Sequence, residues 1–506
     1  MDDQDLAHSQ EITTLARGAG LVFIGTLCGL VLKYLFQLMV ARHLGARLFG
    51  TFFLGVTVFS VLERISGLGL PQGVLRYVSV FRAQSDPERM KGTILTGLRV
   101  VSSAGLFLLV ATMLSSSFLS TRFFHDVNLV WVVRILAVGG IFSGLTDVLI
   151  LATQAFQVMQ YKVIVRFIFE PIFRIVFVWV WFWLGWKLFG ASLAFALASV
   201  LGTVLAFSFM RKVFPPFRDK RVTPRFETKK IFLFSWPLFF VGALNMALAY
   251  ASILMLGCFR AAEEVGIFGA SFRTAMLMAV ILDSFNAIFP AIIADLFSKE
   301  KSRKMAELYK LVTKWIFTLV LPIFLVLVLF PKMILDQWGE GFSPGAICLI
   351  LMACAQLINC AVGPSGYMLM MIGYTRIILI NASTMFAMTF GLGMWLIPKH
   401  GILGAALSYA VPIGLINIVR LGEVFFLLRM HPYRWDFLKP LAAGLGAASI
   451  GWILKNLVLF TPPLVSLGVR MAMVGTVYFL VITLLKIPRE DKIVLGKIKE
   501  KLVSKS

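Results

Sequence analysis

The stretch Ala41-Arg42-His43-Leu44-Gly45-Ala46-Arg47-Leu48-Phe49-Gly50 joins two apolar runs, 16–41 and 48–70. Each run is long enough to cross the roughly 30 Å hydrocarbon core of a bilayer as a helix. The second half of the chain echoes this junction, where Val265-Gly266-Ile267-Phe268-Gly269 opens the run 265–296. Pro71 follows Gly50 by 21 residues, and Pro290 follows Gly269 by 21. Farther along, Leu188-Phe189-Gly190-Ala191-Ser192-Leu193 returns as Ile402-Leu403-Gly404-Ala405-Ala406-Leu407. Offsets of 219 and 214 residues divide the first twelve spans into two similar six-helix halves. Six is even, so both halves enter the bilayer from the same side, as parallel repeats about an axis along the membrane normal.

Working outward, further apolar runs occupy 92–119, 128–155, 162–186, 188–210, 231–258, 305–335, 345–371, 376–397, 401–429, 437–460 and 464–486. The expected fold class is all-α: a polytopic membrane protein of about fourteen transmembrane helices, with two six-helix lobes plus two C-terminal helices. The lobes are 16–210 and 231–429, separated by a basic linker, 211–230, that contains Pro215-Pro216. Helices thirteen and fourteen fill 437–486, and short tails, 1–15 and 487–506, flank the whole.

Composition agrees. Hydrophobic residues are 59% of the 506 positions and charged residues 14%, against roughly 25% charged in a soluble domain. A net charge of +23 would suggest nucleic acid in a soluble protein, but here the basic residues crowd alternate connections. The linker 211–230 alone holds eight, whereas the connections on the opposite side hold only Arg42, Arg47, Arg122, Lys187, Arg260, Lys332 and Lys399. That asymmetry places both termini in the cytoplasm of a multi-pass protein of the plasma or inner membrane. It also assigns the positive charge to anionic membrane lipids, with no nucleic-acid partner. Trp186, Trp338 and Trp395 are expected at the outer interface, and Trp236 and Trp435 at the inner one. The acidic start, Asp2, Asp3 and Asp5, has no basic n-region, so the first span is expected to be retained.

The five cysteines have neither paired nor metal-ligand spacing. No G-x-x-x-x-G-K-[ST] loop, H-E-x-x-H helix or nucleophile elbow occurs. No catalytic residue, cofactor or metal is therefore expected, and the protein is not read as an enzyme.

Several motifs carry a resemblance. Ala41 to Gly50 resembles the ARxLGxxxFG connection after the first helix of the polysaccharide and oligosaccharide flippases. Gly67-Leu68-Gly69-Leu70 leading to Arg76 is similar to the end of their second helix, and Ser235-Trp236-Pro237-Leu238 to the opening of their seventh. Leu256-Gly257-Cys258-Phe259, continuing through Glu263-Glu264-Val265-Gly266 to Arg273, is similar to their seventh-to-eighth connection. His400-Gly401 leading into Ile402 to Leu407 matches the start of their twelfth helix. The family lies in the superfamily that also contains MATE multidrug exporters and lipid II flippases. The resemblance implies two lobes forming a V that opens alternately to either side. It also implies a polyprenyl-diphosphate-linked oligosaccharide as the cargo, with polysaccharide-assembly enzymes as candidate partners. Two alternatives stay open: a cation-coupled multidrug exporter of the same superfamily, and a membrane-embedded glycosyltransferase or polymerase. An exporter of organic cations wants carboxylates in its first helix; residues 16–41 contain none, and contain Lys33.

A charge at mid-membrane costs about 2.5–3.5 kcal/mol even on insertion scales, so it faces protein or a wet cavity. Lys33 and Arg273 lie deep in their spans without a carboxylate within one helical turn, and are candidates for a cationic wall that holds a diphosphate. Arg64 joins them and has a second candidate role. Arg64 and Asp283 each lie 14 residues after their repeat glycines, and Arg76 and Asp295 each lie 26 after. Basic in one lobe and acidic in the other, these positions are candidates for an inner gate of ion pairs. Glu170 and Arg174 stand four apart on the fifth span, the spacing of a helical ion pair. Asp147 has no basic residue within a turn. Asp147 and Glu170 are the candidate coupling carboxylates.

Overall fold

The computed structural model describes residues 3–456 and 462–485, with side chains from residue 25 onward. The expected tail 487–506 lies outside the described residues. Among the described residues the chain is helical throughout, without a strand. Eleven helices are long and apolar enough to cross a membrane, and the pair Ala262–Ala275 and Ala279–Asn286, bent by 49°, makes a twelfth. Two further spans complete the expected set of about fourteen. The first long helix contains two spans, and the fifth span, within 160–183, is interrupted by a π-helical turn.

The first helix, α1 (Asp3–Gly67), runs through the quoted junction with no intervening loop. Only Gly45 leaves helical geometry, at φ 72° and ψ 172°, a left-handed conformation that a residue with a Cβ adopts at a steric cost. The junction then packs on its own repeat. A Cβ on Gly50 would run into the carbonyl of Ala262, and one on Gly266 into the carbonyl of Ala46. The glycines of the two echoing motifs therefore let two stretches of backbone touch. Phe49 is fully buried beside this contact, its ring 5.9 Å from Phe53 and 5.7 Å from Trp338. Trp338 corrects one expectation. Read as an interfacial marker, it is wholly buried against Tyr34, Phe49 and Phe342, whereas Trp186, Trp236, Trp395 and Trp435 are exposed.

Both repeat prolines mark helix breaks. Pro71 opens α2 (Leu70–Ala83) after the turn at Gly67 to Gly69. Pro290 sits at the start of the short helix Phe289–Ser298, just after Ala279–Asn286. Proline lacks the N–H that helix continuation needs but fits a first turn.

The chain divides into two compact units. Unit 1 is 1–269 with 338–342 and 393–405; unit 2 is 270–337, 343–392 and 406–506. Within unit 1, α3 (Pro87–Phe118), α4 (Leu129–Ala155), α5 (Glu170–Trp183), α6 (Lys187–Val213) and α7 (Thr228–Phe259) follow. Helices α4 and α6 meet along stripes of small residues: a Cβ on Gly139 would lie 3.0 Å from the Ala196 Cα, and Thr203 Oγ1 lies 2.9 Å from Thr146 Oγ1 and donates to the Phe142 carbonyl at 2.7 Å. Such stripes permit the close helix approach that packing in lipid depends on. Residues 218–227 fold onto the start of α3: the buried Lys91 donates to the carbonyls of Asp219 and Val222, and Arg225 N–H to the carbonyl of Glu88.

Candidate functional site

The fifth span of unit 1 changes pitch at Val163–Phe169, a π-helical turn that ends two residues before Pro171. A proline ring excludes the carbonyl four residues earlier, and a π turn widens the helix where that carbonyl must go. The widened turn carries Arg166, one and two helical turns before Glu170 and Arg174. All three side chains lie on one helical face.

Arg166 is the hub of an ionic cluster drawn from three helices. Its Nη2 lies 2.5 Å from Asp147 Oδ1 and 3.3 Å from Glu63 Oε1, and its Nη1 3.0 Å from Glu170 Oε1. Nη1 also donates to Ser143 Oγ at 2.8 Å, and Nη2 to the Ser143 carbonyl at 2.8 Å. Ser143 Oγ in turn donates to Glu63 Oε1. Glu170 bridges onward, its Oε2 taking Arg174 Nη2 at 3.1 Å, and the Arg174 guanidinium lies 3.7 Å from the centre of the Phe195 ring. Room for the Glu170 carboxylate comes from Gly202 of α6, where a Cβ would collide with it. The cluster is graded. The Glu170 side chain is 3% exposed, and the Asp147 side chain, at the other end, 37%. Three carboxylates face two guanidiniums, so with all five ionised the cluster carries one excess negative charge.

The expected Glu170–Arg174 pair is present, and Asp147 finds its base on a neighbouring span. Glu63 and Arg166 escape a reading by spacing: Glu63 is paired only through tertiary structure, and Arg166 sits near a helix end where a basic residue normally reaches for the interface. The one local signal is the Arg166, Glu170, Arg174 ladder at intervals of four.

The other candidates lie elsewhere. Lys33 on α1 is half-buried, its ammonium 4.6 Å from the centre of the Phe167 ring, next to the hub residue. Arg64 is exposed, although Glu63 beside it turns into the cluster. The exposed Arg76 places its guanidinium 4.2 Å from the Phe234 ring centre. In unit 2, Arg273 is half-buried on helix Ala262–Ala275, and Asp283 is exposed on Ala279–Asn286. Asp295 is ion-paired with Lys299 at 2.6 Å. Unit 2 has a polar centre of a different kind. Gln356 Nε2 donates to Tyr409 Oη at 3.0 Å, and Asn359 Nδ2 to Gln356 Oε1 at 3.2 Å. Among the described residues no three His, Cys, Asp or Glu side chains are grouped as a metal site.

Comparison with known structures shows the fold. A lipid II flippase MurJ in an inward closed conformation matches with a TM-score of 0.73 at 13% identity, over 92% of this chain and 98% of that one. An inward-facing multidrug resistance MATE family transporter of the MOP superfamily matches at 0.64 and 14%, over 82% and 94%. A MOP superfamily transporter from Pyrococcus furiosus, titled for the reverse polarity of its binding pocket, matches at 0.59 and 15%, over 81% and 95%. No curated protein sequence matches this one significantly. The fold is thus that of lipid II flippases and MATE transporters, and the profile of one sequence family covers residues 15–297, more than half of the chain: this is a member of the polysaccharide biosynthesis protein family.

Proposed function

We propose that the protein is a flippase that moves a polyprenyl-diphosphate-linked oligosaccharide, a polysaccharide precursor, across the cytoplasmic membrane by alternating access, with both termini in the cytoplasm. One observation carries the choice of an anionic cargo. The three carboxylates deep in the spans of unit 1 (Glu63, Asp147 and Glu170) are all bound by Arg166, with Arg174 also on Glu170, while the basic Arg64 and Arg76 are exposed. A cavity that presents cations and ties up its acids suits a diphosphate. The multidrug exporter reading needs the opposite arrangement. Lys33, Arg64 and Arg273 are the proposed diphosphate contacts.

The excess negative charge of the Arg166 cluster suits a proton as the coupling ion. A metal cation would meet two guanidiniums at close range, whereas a proton on one carboxyl neutralises the cluster with no new charge. Glu63, Asp147 and Glu170 are its proposed carriers. The opposed repeat positions, Arg64 with Asp283 and Arg76 with Asp295, are proposed as coupled gate charges. Exchanging Arg64 and Asp283 should retain more transport than either change to Ala, and strictly additive losses would end that idea.

The test of the whole reading is reconstitution of this protein alone in liposomes, with a fluorescent polyprenyl-diphosphate sugar in one leaflet. Translocation that accelerates with a pH gradient is expected. Folded protein that moves no such lipid but exports organic cations would overturn it, as would formation of a new glycosidic bond.

A further inference from the structure

Unit 2 contains a cavity of about 730 Å³ whose lining includes none of the residues proposed for cargo contact, coupling or gating. One wall is the first half of helix Ser302–Leu329, which contributes Lys304, Glu307, Leu308, Leu311 and Lys314 at the three- and four-residue intervals of one helical face, with Lys310 at its border. At 1.5 Å per residue this wall extends about 15 Å along the helix, from its end into the span. The facing wall is the turn Pro432 to Arg434 and the 3₁₀ turn Trp435–Phe437, which leads into helix Leu438–Asn456.

The lining is amphipathic. Lys304, Lys310, Lys314 and Arg434 oppose two acids, Glu307 and Asp436. Glu307 has Arg303, outside the lining, at 3.3 Å, and Asp436 is shared between Lys439, also outside it, at 3.5 Å and the lining Arg434 at 3.6 Å. Positive charge dominates the space. Leu308, Leu311 and Phe437 supply its apolar part, and Phe437 is held by its neighbours, with ring centres 4.5 Å to Phe317 and 5.2 Å to Tyr433. Beside the 3₁₀ turn, Trp435 is 86% exposed and Leu438 52% exposed, the amphipathic rim of a membrane interface.

We propose that this cavity binds the phosphate headgroup of an anionic glycerophospholipid, with its glycerol backbone and upper acyl chains against Leu308, Leu311 and Phe437. The volume lies in the range of small-molecule sites, roughly 300–1,000 Å³, and far exceeds the needs of a bare phosphate ion. Clustered bases at a helix end on the membrane surface are attracted to anionic lipid. An apolar floor favours an amphiphile over a free anion. The inference is independent of which cargo the protein moves.

The test compares the purified full chain with the variant Lys310→Gln/Lys314→Gln by native mass spectrometry and thermal unfolding in detergent. Phosphatidylglycerol, phosphatidylcholine and inorganic phosphate are added in separate arms. Phosphatidylglycerol should be retained and should raise the Tm of the native protein, with affinity lowered about tenfold or more in the variant. Lys220→Gln/Arg221→Gln, which removes two exposed bases outside the cavity, should bind like the native protein. If the first variant does not fold, Lys304→Gln/Arg434→Gln replaces it, with the same loss expected. Equal binding by the cavity variant, an equal response to phosphatidylcholine, or an equal shift with inorganic phosphate would overturn the proposal.

Discussion

The two units solve the problem of polar groups in lipid differently. In unit 1, three carboxylates and two guanidiniums from three helices form one ionic cluster around Arg166. In unit 2, the centre is neutral, with Gln356, Tyr409 and Asn359 passing hydrogen bonds among themselves. At the 219-residue offset Glu63 corresponds to Leu282, so the repeats share a backbone plan but not this acid. A neutral network satisfies itself at every pH. The ionic cluster has one more acid than base, and the proposed proton coupling rests on that excess. The duplicated fold thus holds an ionic cluster in one half where the other has a neutral network.

The sharpest way to break this comparison is to remove the hub. Arg166→Ala leaves three carboxylates facing Arg174 alone, and is expected to cost about 3–5 kcal/mol of stability. It should be measured as lost thermal stability and lost membrane yield; Arg166→Lys should recover only part, because an ammonium cannot reproduce the forked contacts. Glu63→Gln keeps the shape of the cluster but removes its odd charge. The folded protein should persist, and transport should lose its pH dependence, which for one titrating proton reaches at most about tenfold per pH unit. A pH profile in Glu63→Gln that parallels the native one would remove the distinction between the units. In unit 2, Tyr409→Phe takes one member from the neutral network and should cost about 1 kcal/mol, with the pH profile of transport unchanged.

The smallest effect is expected outside the spans. Glu227 is held below the usual carboxylate range, chiefly by its hydrogen bond from Lys230; burial opposes this, and the neighbouring charges of Lys230, Arg89 and Arg225 add to the lowering. Its folded pKa is depressed, so its contribution is present above the unfolded carboxylate pKa and fades as the pH falls through the lower folded value. Glu227→Gln should cost less than about 1 kcal/mol at neutral pH, and the difference from the native protein in thermal unfolding should vanish in acid.

The architecture was largely legible in the sequence, because span length, echoing glycines and alternating basic connections are local or periodic features. The equal spacing of Gly50 to Pro71 and Gly269 to Pro290 reveals the repeat, whereas the backbone contact at Gly50 and Gly266 and the helix break before Pro290, inside the single run 265–296, show only in the structure. Within the site, Glu170 and Arg174 share one helix and their spacing reveals them. Glu63 and Arg166 meet across helices 103 residues apart in the chain, and nothing in local spacing encodes that. Trp338 misleads for a similar reason: an indole near a span end suits an interface, and only the packing of Phe49, Tyr34 and Phe342 around it shows otherwise.

The kink at Gly45 bears on how the protein enters its membrane. Residues 25–67 are 43 residues of otherwise unbroken helix, which as a straight rod would measure about 65 Å, twice what a bilayer accommodates. The departure of Gly45 alone from helical geometry divides that rod into two spans with no loop between them, so both reach the bilayer on one continuous run of helix. The space around position 45 is open, so any residue with a Cβ there would meet the torsional cost of the positive φ rather than a clash.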